Sequence, residues 1–84
     1  MFLIMLTYQA PLETIDQLKE EHYTHPDGLF AKGLVRMAGR LEPRTGGLII
    51  AEGDRAEVAA AVANDPFVTS GAATARITEF HRTR

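Results

Sequence analysis

Two side chains in this sequence carry proton chemistry suited to neutral pH and fall where a helical pattern turns them inward: His22 and Asp65. After Pro11, the residues Leu12, Ile15 and Leu18 recur at helical spacing, with Glu13, Asp16, Gln17 and Lys19 facing away. At roughly 100° per residue, His22 falls between Ile15 and Leu18 on the apolar side. A second helical stretch, if it reaches Asp65, aims that carboxylate the way of Val58 and Val62, toward the interior. A carboxylate there is costly unless paired or hydrogen-bonded, and an imidazole on the neighbouring helix is a fitting partner. The carboxylate would fix the ring's tautomer and favour its protonated form, making a general base that works near neutrality. The competing reading is structural: Asp65 caps the helix end or the Asp-Pro turn, and His22 is a hydrogen-bonded core residue.

Other polar residues add to this pair or drop out. Arg36, Arg40 and Arg44 recur at spacing four, and on a strand an even offset puts Arg36 and Arg40 on one face. Arg40, beside Gly39 at the strand end, suits an anionic substrate group through its planar fork. The alternative is a solvated arginine or one that forms an intersubunit pair with Glu42 or Glu52. Tyr8 and Phe67 read as packing residues that also line the cleft, which makes them substrate-binding candidates with Arg40. His22, His25 and Asp27 resemble a metal set, but Pro26 ruins the helical spacing and no fourth ligand is evident, so no metal is expected. Ser70 lacks the strand-to-helix elbow of a hydrolase nucleophile. Gly46-Gly47 serves a hairpin turn rather than a phosphate loop, and no cofactor is expected.

The bulk properties narrow the class. With no cysteine among 84 residues, disulfides, thiolate metal sites and thiol nucleophiles are excluded. A formal net charge of -2 argues against a nucleic-acid partner. The run Phe2-Leu3-Ile4-Met5-Leu6 is too short to span a membrane. It also lacks the positive flank and cleavage site of a signal peptide, so a cytoplasmic protein is expected. A chain of this length makes one domain, residues 1–84, with a thin stability margin that association would widen.

The elements follow from apolar runs and their punctuation. Residues 2–8 form a strand whose continuous apolar character implies cover on both faces. The helix after Pro11 breaks at His25-Pro26-Asp27-Gly28, and a short helical piece, Leu29 to Lys32, is stopped by Gly33. Leu34 to Leu41 and Leu48 to Glu52 read as strands joined by a loop through Pro43 and Gly47. Asp54, with Glu57 three residues on, has capping-box spacing for a helix that ends near Asn64 because Pro66 follows. Ala73 to His81 is the last strand. The order βαββαβ makes an α+β, ferredoxin-like domain: a four-stranded antiparallel sheet with both helices on one face. The other sheet face is left bare, and a second copy of the chain is its economical cover, so a homodimer is expected.

Several stretches together resemble a known family. They are the spacing from His22 to Gly33, Met37-Ala38-Gly39-Arg40, Pro43-Arg44-Thr45-Gly46-Gly47, and Asp65-Pro66-Phe67 with Gly71. The opening Phe2 to Tyr8, then Ala10-Pro11-Leu12-Glu13, and the closing Glu79-Phe80 fit as well. The pattern is similar to the YciI-like proteins of the dimeric α+β barrel group, over nearly the whole chain. The resemblance implies two ferredoxin-like protomers packed sheet to sheet into a barrel. It also implies a cleft with a His–Asp pair, here His22 and Asp65, acting on small organic molecules; some relatives look like dehydrochlorinases or are similar to muconolactone isomerases. One departure is Thr24-His25-Pro26-Asp27-Gly28, which interrupts a helix that runs on in relatives and so alters the pocket wall.

The functional expectation is a cofactor-independent acid–base enzyme, a lyase or isomerase acting on a small organic acid or aromatic-derived substrate. His22 and Asp65 would be catalytic. The alternative is a non-catalytic module, either small-molecule-binding or structural, with the same dimeric architecture.

Overall fold

The apolar run at the start of the chain becomes an interior strand that uses both of its faces. A computed structural model describes all 84 residues, Met1–Arg84. Strand β1 (Phe2–Tyr8) lies between β3 (Gly46–Ala51) and β4 (Ala73–Glu79), and β2 (Val35–Arg40) is the edge beyond β3. All pairings are antiparallel, giving the order β2-β3-β1-β4. Helices α1 (Leu12–Thr24), α2 (Arg55–Ala63) and the short α3 (Pro66–Thr69) complete the domain. This is the expected α+β architecture of ferredoxin-like order.

The period of two along each strand separates the faces. Phe2, Ile4 and Leu6 are buried and sit opposite Ala51, Ile49 and Gly47 of β3, so this face carries the core. Ile4, Ile15 of α1, Leu29 and Val58 of α2 are the largest fully buried side chains. Each contributes about 1.5–3 kcal/mol by leaving water. The alternate residues Leu3 and Met5 are half-buried on the opposite face, level with Ile50 and Leu48 of β3. Met37, opposite Ile50, is 66% exposed there.

Two glycines are required by geometry. At Gly46 a Cβ would stand 1.9 Å from the Leu6 carbonyl oxygen, so β1 and β3 can approach there only without a side chain. Gly33 has φ +71 and closes the segment after α1. Its N–H donates to the Phe30 carbonyl while Leu34 N–H donates to Leu29, the paired bonds of a Schellman closure.

Some local expectations change. Leu29 to Lys32 forms hydrogen-bonded turns rather than a helical piece. The last strand ends at Glu79, short of His81. Asp54 occupies the N-cap position of α2 but makes no side-chain capping bond, so the capping-box spacing with Glu57 is not used. The β2–β3 register slips between Val35 and Met37, a bulge at Arg36. Val35 lies opposite Ala51 and Arg40 opposite Gly47, two positions on one face of β3. The odd offset therefore shares a face, and Arg36 does not stand with Arg40 as simple alternation had it. Arg36 instead donates to the Gly33 carbonyl at 3.2 Å and reaches Glu52 at 3.5 Å.

Candidate functional site

The apolar stripe of α1 carries His22 into the interior in the last turn of the helix, where it is 6% exposed. Its Nδ1 lies 2.5 Å from Asp65 Oδ2, shorter than an ordinary N–H···O hydrogen bond. Asp65 is 3% exposed and sits at the N-cap of α3, where its Oδ1 accepts from Phe67 N–H at 2.8 Å. Pro66 at the first helical position fits this start, because it lacks an N–H and has a helical φ. One Asp65 oxygen thus caps a helix while the other meets the imidazole. An ionised carboxylate only accepts, so the neutral ring carries its proton on Nδ1 and its lone pair on Nε2.

Aromatic rings fix the imidazole plane. Phe67 stacks on it with centroids 4.2 Å apart and planes 16° from parallel. Phe30 meets the ring edge-on at 5.1 Å, and Tyr23 lies at 5.0 Å. Tyr8 packs edge-on against Phe67 at 6.3 Å. Nε2 makes no hydrogen bond within the protein, yet it is not sealed from solvent, since Arg44 Nε is the one sealed side-chain polar atom without a partner.

His22 opens onto a cleft of about 150 Å³. Lys19, His22 and Tyr23 line it from α1, and Phe30 from the turn that follows. Leu6, Ala38, Gly47 and Ile49 line it from the sheet, and Arg40 and Arg44 come from β2 and the loop after it. Arg44 pairs with Asp16 of α1, which ties that loop to the helix. The hydrogen bond from Arg44 holds the Asp16 carboxyl below its ordinary value of 3.8, and Asp16 raises the guanidinium in turn. Arg40 Nε stands 3.6 Å from Glu42 Oε1, and both side chains are exposed, at 65% and 79%. Such a pair is weak and leaves Arg40 available to a ligand.

Of the residues singled out from sequence, His22 and Arg40 line the cleft, and Asp65 stands directly behind His22. Phe67 and Tyr8 are not on the wall. Phe67 is the platform under the imidazole, and Tyr8 lies behind it, next to the Arg44 guanidinium. The aromatic wall is made by Tyr23 and Phe30. Lys19 stands three residues before His22 and four before Tyr23, a helical spacing present in the sequence. Phe30 and Arg44 lie outside any regular element, and no periodicity marks them. His25 Nδ1 accepts from Asp27 N–H at 3.1 Å within the turn, and no three His, Cys, Asp or Glu side chains converge.

No helix is long and apolar enough to cross a membrane. The sequence matches none of the curated proteins. The fold resembles that of a 5-chloro-2-hydroxyhydroquinone dehydrochlorinase (TftG) from Burkholderia phenoliruptrix AC1100, solved in complex with 2,5-dihydroxybenzoquinone. The TM-score is 0.70 at 21% identity, over 96% of this chain and 94% of that one. At that identity the likeness speaks for the fold alone. Residues 1–81 match the YCII-related domain, and the chain belongs to that family.

Proposed function

We propose that the protein is a cofactor-independent acid–base enzyme, a lyase or isomerase of dehydrochlorinase kind, acting on a small organic acid or an aromatic-derived substrate. One observation carries the reading: a buried histidine whose Nδ1 is held by a helix-capping aspartate at 2.5 Å, with its other nitrogen unpartnered beside a cleft. This is the arrangement a general base needs, because the proton-accepting lone pair is aimed and its tautomer is set before substrate arrives. His22 Nε2 takes a proton from a carbon or hydroxyl made acidic by a neighbouring carbonyl. Asp65 stabilises the imidazolium that results. Arg40 balances the negative charge that gathers on the substrate oxygen. The electron pair left behind either expels a leaving group, as in a lyase, or accepts the proton back at another carbon, as in an isomerase. The ligand of the dehydrochlorinase of similar fold, 2,5-dihydroxybenzoquinone, is a single ring of the kind this mechanism suits.

The same reading makes the protein a homodimer. Leu3, Met5, Leu48, Ile50 and Met37 share the sheet face away from the helices, and a second copy laid sheet to sheet would cover them. Ile50→Lys is expected to convert a dimer into a monomer in sedimentation at micromolar concentration; a compact monomer for the parent chain removes this part of the proposal.

The catalytic part is tested by screening single-ring acids, phenols and their chlorinated forms for turnover, then repeating any active case with His22→Ala. Turnover is expected to fall by about 10²–10⁴-fold with the circular dichroism spectrum unchanged. Activity that survives in this variant assigns the chemistry elsewhere.

A further inference from the structure

The lining of the His22 cleft holds three cations, Lys19, Arg40 and Arg44, and no carboxylate, in a chain whose formal net charge is -2. Their situations differ. Arg44 is taken up by Asp16. Arg40 meets Glu42 only loosely, at 3.6 Å between exposed groups. Lys19 takes part in no ion pair of the chain. It stands three residues before His22 on α1, so ammonium and imidazole share one helix face. The walls beside it are the rings of His22, Tyr23 and Phe30, and a charge acts more strongly next to apolar rings than in open water. The cleft volume of about 150 Å³ equals that of a cavity known to accept benzene.

We propose, resting on the acid–base reading above, that the cleft selects a single-ring anion and that Lys19 is the residue that sets this selectivity, with Arg40 contributing from β2. A neutral ring of the same shape gains the aromatic contacts but not the charge. Lys19 is exposed on a helix, so Lys19→Gln exchanges it for a residue of similar helix propensity without touching the core.

The probes are benzoate and its neutral isostere benzamide, titrated into the whole chain and followed by amide chemical shifts. Benzoate is expected to bind the parent at least about tenfold more tightly, the equivalent of about 1.4 kcal/mol. Lys19→Gln is expected to abolish most of that preference and leave benzamide unaffected, while Lys19→Arg keeps it. Equal binding of the two probes to the parent, binding of neither, or a preference undiminished in Lys19→Gln overturns the proposal. His22→Gln separates it from the acid–base reading. A preference kept in that variant, with no turnover of any acid by the parent, leaves charge selection standing and removes the catalytic reading. His22-dependent turnover without a benzoate preference does the reverse.

Discussion

Helix α1 is tied to the rest of the protein at two places, and the ties differ in what surrounds them. Near its C-terminus His22 meets Asp65, with side chains 7% and 5% exposed. One turn and a half earlier Asp16 meets Arg44, with side chains 54% and 25% exposed. Both join a carboxylate to a nitrogen donor, yet only the first is a committed structure. A buried carboxylate must find its partners inside the protein, and Asp65 finds two, the imidazole and the Phe67 N–H. The Asp16 carboxylate can exchange Arg44 for water at little cost. Burial, more than the chemistry of the pair, therefore decides which tie specifies geometry, and the site is built on the buried one.

The sharpest way to break this contrast is Asp65→Ala. It removes the cap of α3 and strands the Nδ1 donor in one change. The loss is expected to be about 2–4 kcal/mol, roughly 1 from the cap and the remainder from the unpaired ring. Urea denaturation checks it, and a cost below 1 kcal/mol would mean that water enters the site freely.

Asp65→Asn is expected to cost less stability, about 1 kcal/mol, and more chemistry. The amide oxygen stays on the Phe67 N–H, so the amide nitrogen takes the place of Oδ2. It then donates to His22 Nδ1 and drives the ring proton to Nε2. The lone pair that faced the cleft is gone although nothing has moved. Ring ¹⁵N shifts distinguish the two tautomers, and an Nδ1–H ring in Asp65→Asn would show that the carboxylate does not set the tautomer.

Much of the fold was legible because its signals are local. The runs Phe2 to Leu6 and Leu48 to Glu52, read as strands for their apolar character, mark the two interior strands β1 and β3, although β3 runs Gly46–Ala51 and so takes in the two glycines read as turn. Pro26 and Pro66 end helices where a missing N–H requires it. His22 was legible as inward because its neighbours Ile15 and Leu18 set the helix face. Other features depend on contacts between distant segments and leave no periodic trace. The bulge at Arg36 arises from the fit of β2 to β3, and Phe30 reaches the cleft through turns that no spacing predicts. Lys19 is exposed, as a residue facing away should be, yet it also lines the cleft. At roughly 100° per residue it stands only about 40° from Ile15, so the spacing itself places it on the side of the helix that carries His22. Asp54 and Asp65 differ as caps: both precede helices, but only the buried one makes the capping bond, as a buried N–H requires a partner within the protein.

The exposed tie gives the smallest effect and one set by pH. Asp16 is held below its ordinary value of 3.8 by the hydrogen bond from Arg44. A carboxyl whose folded value is depressed adds stability that is present in full above its unfolded value and is lost as pH falls through the folded one. The parent should therefore melt slightly above Asp16→Asn at neutral pH, by no more than a few degrees. The difference should shrink below about pH 4, the region of an unfolded aspartate, and disappear once the folded carboxyl is protonated. Added salt should shrink it too, because the pair faces solvent. Paired melting curves between pH 2 and pH 7 test this directly. A gap that stays constant across that range would mean that Asp16 holds the β2–β3 loop by shape rather than by charge, and the two ties of α1 would then be more alike than their exposure suggests.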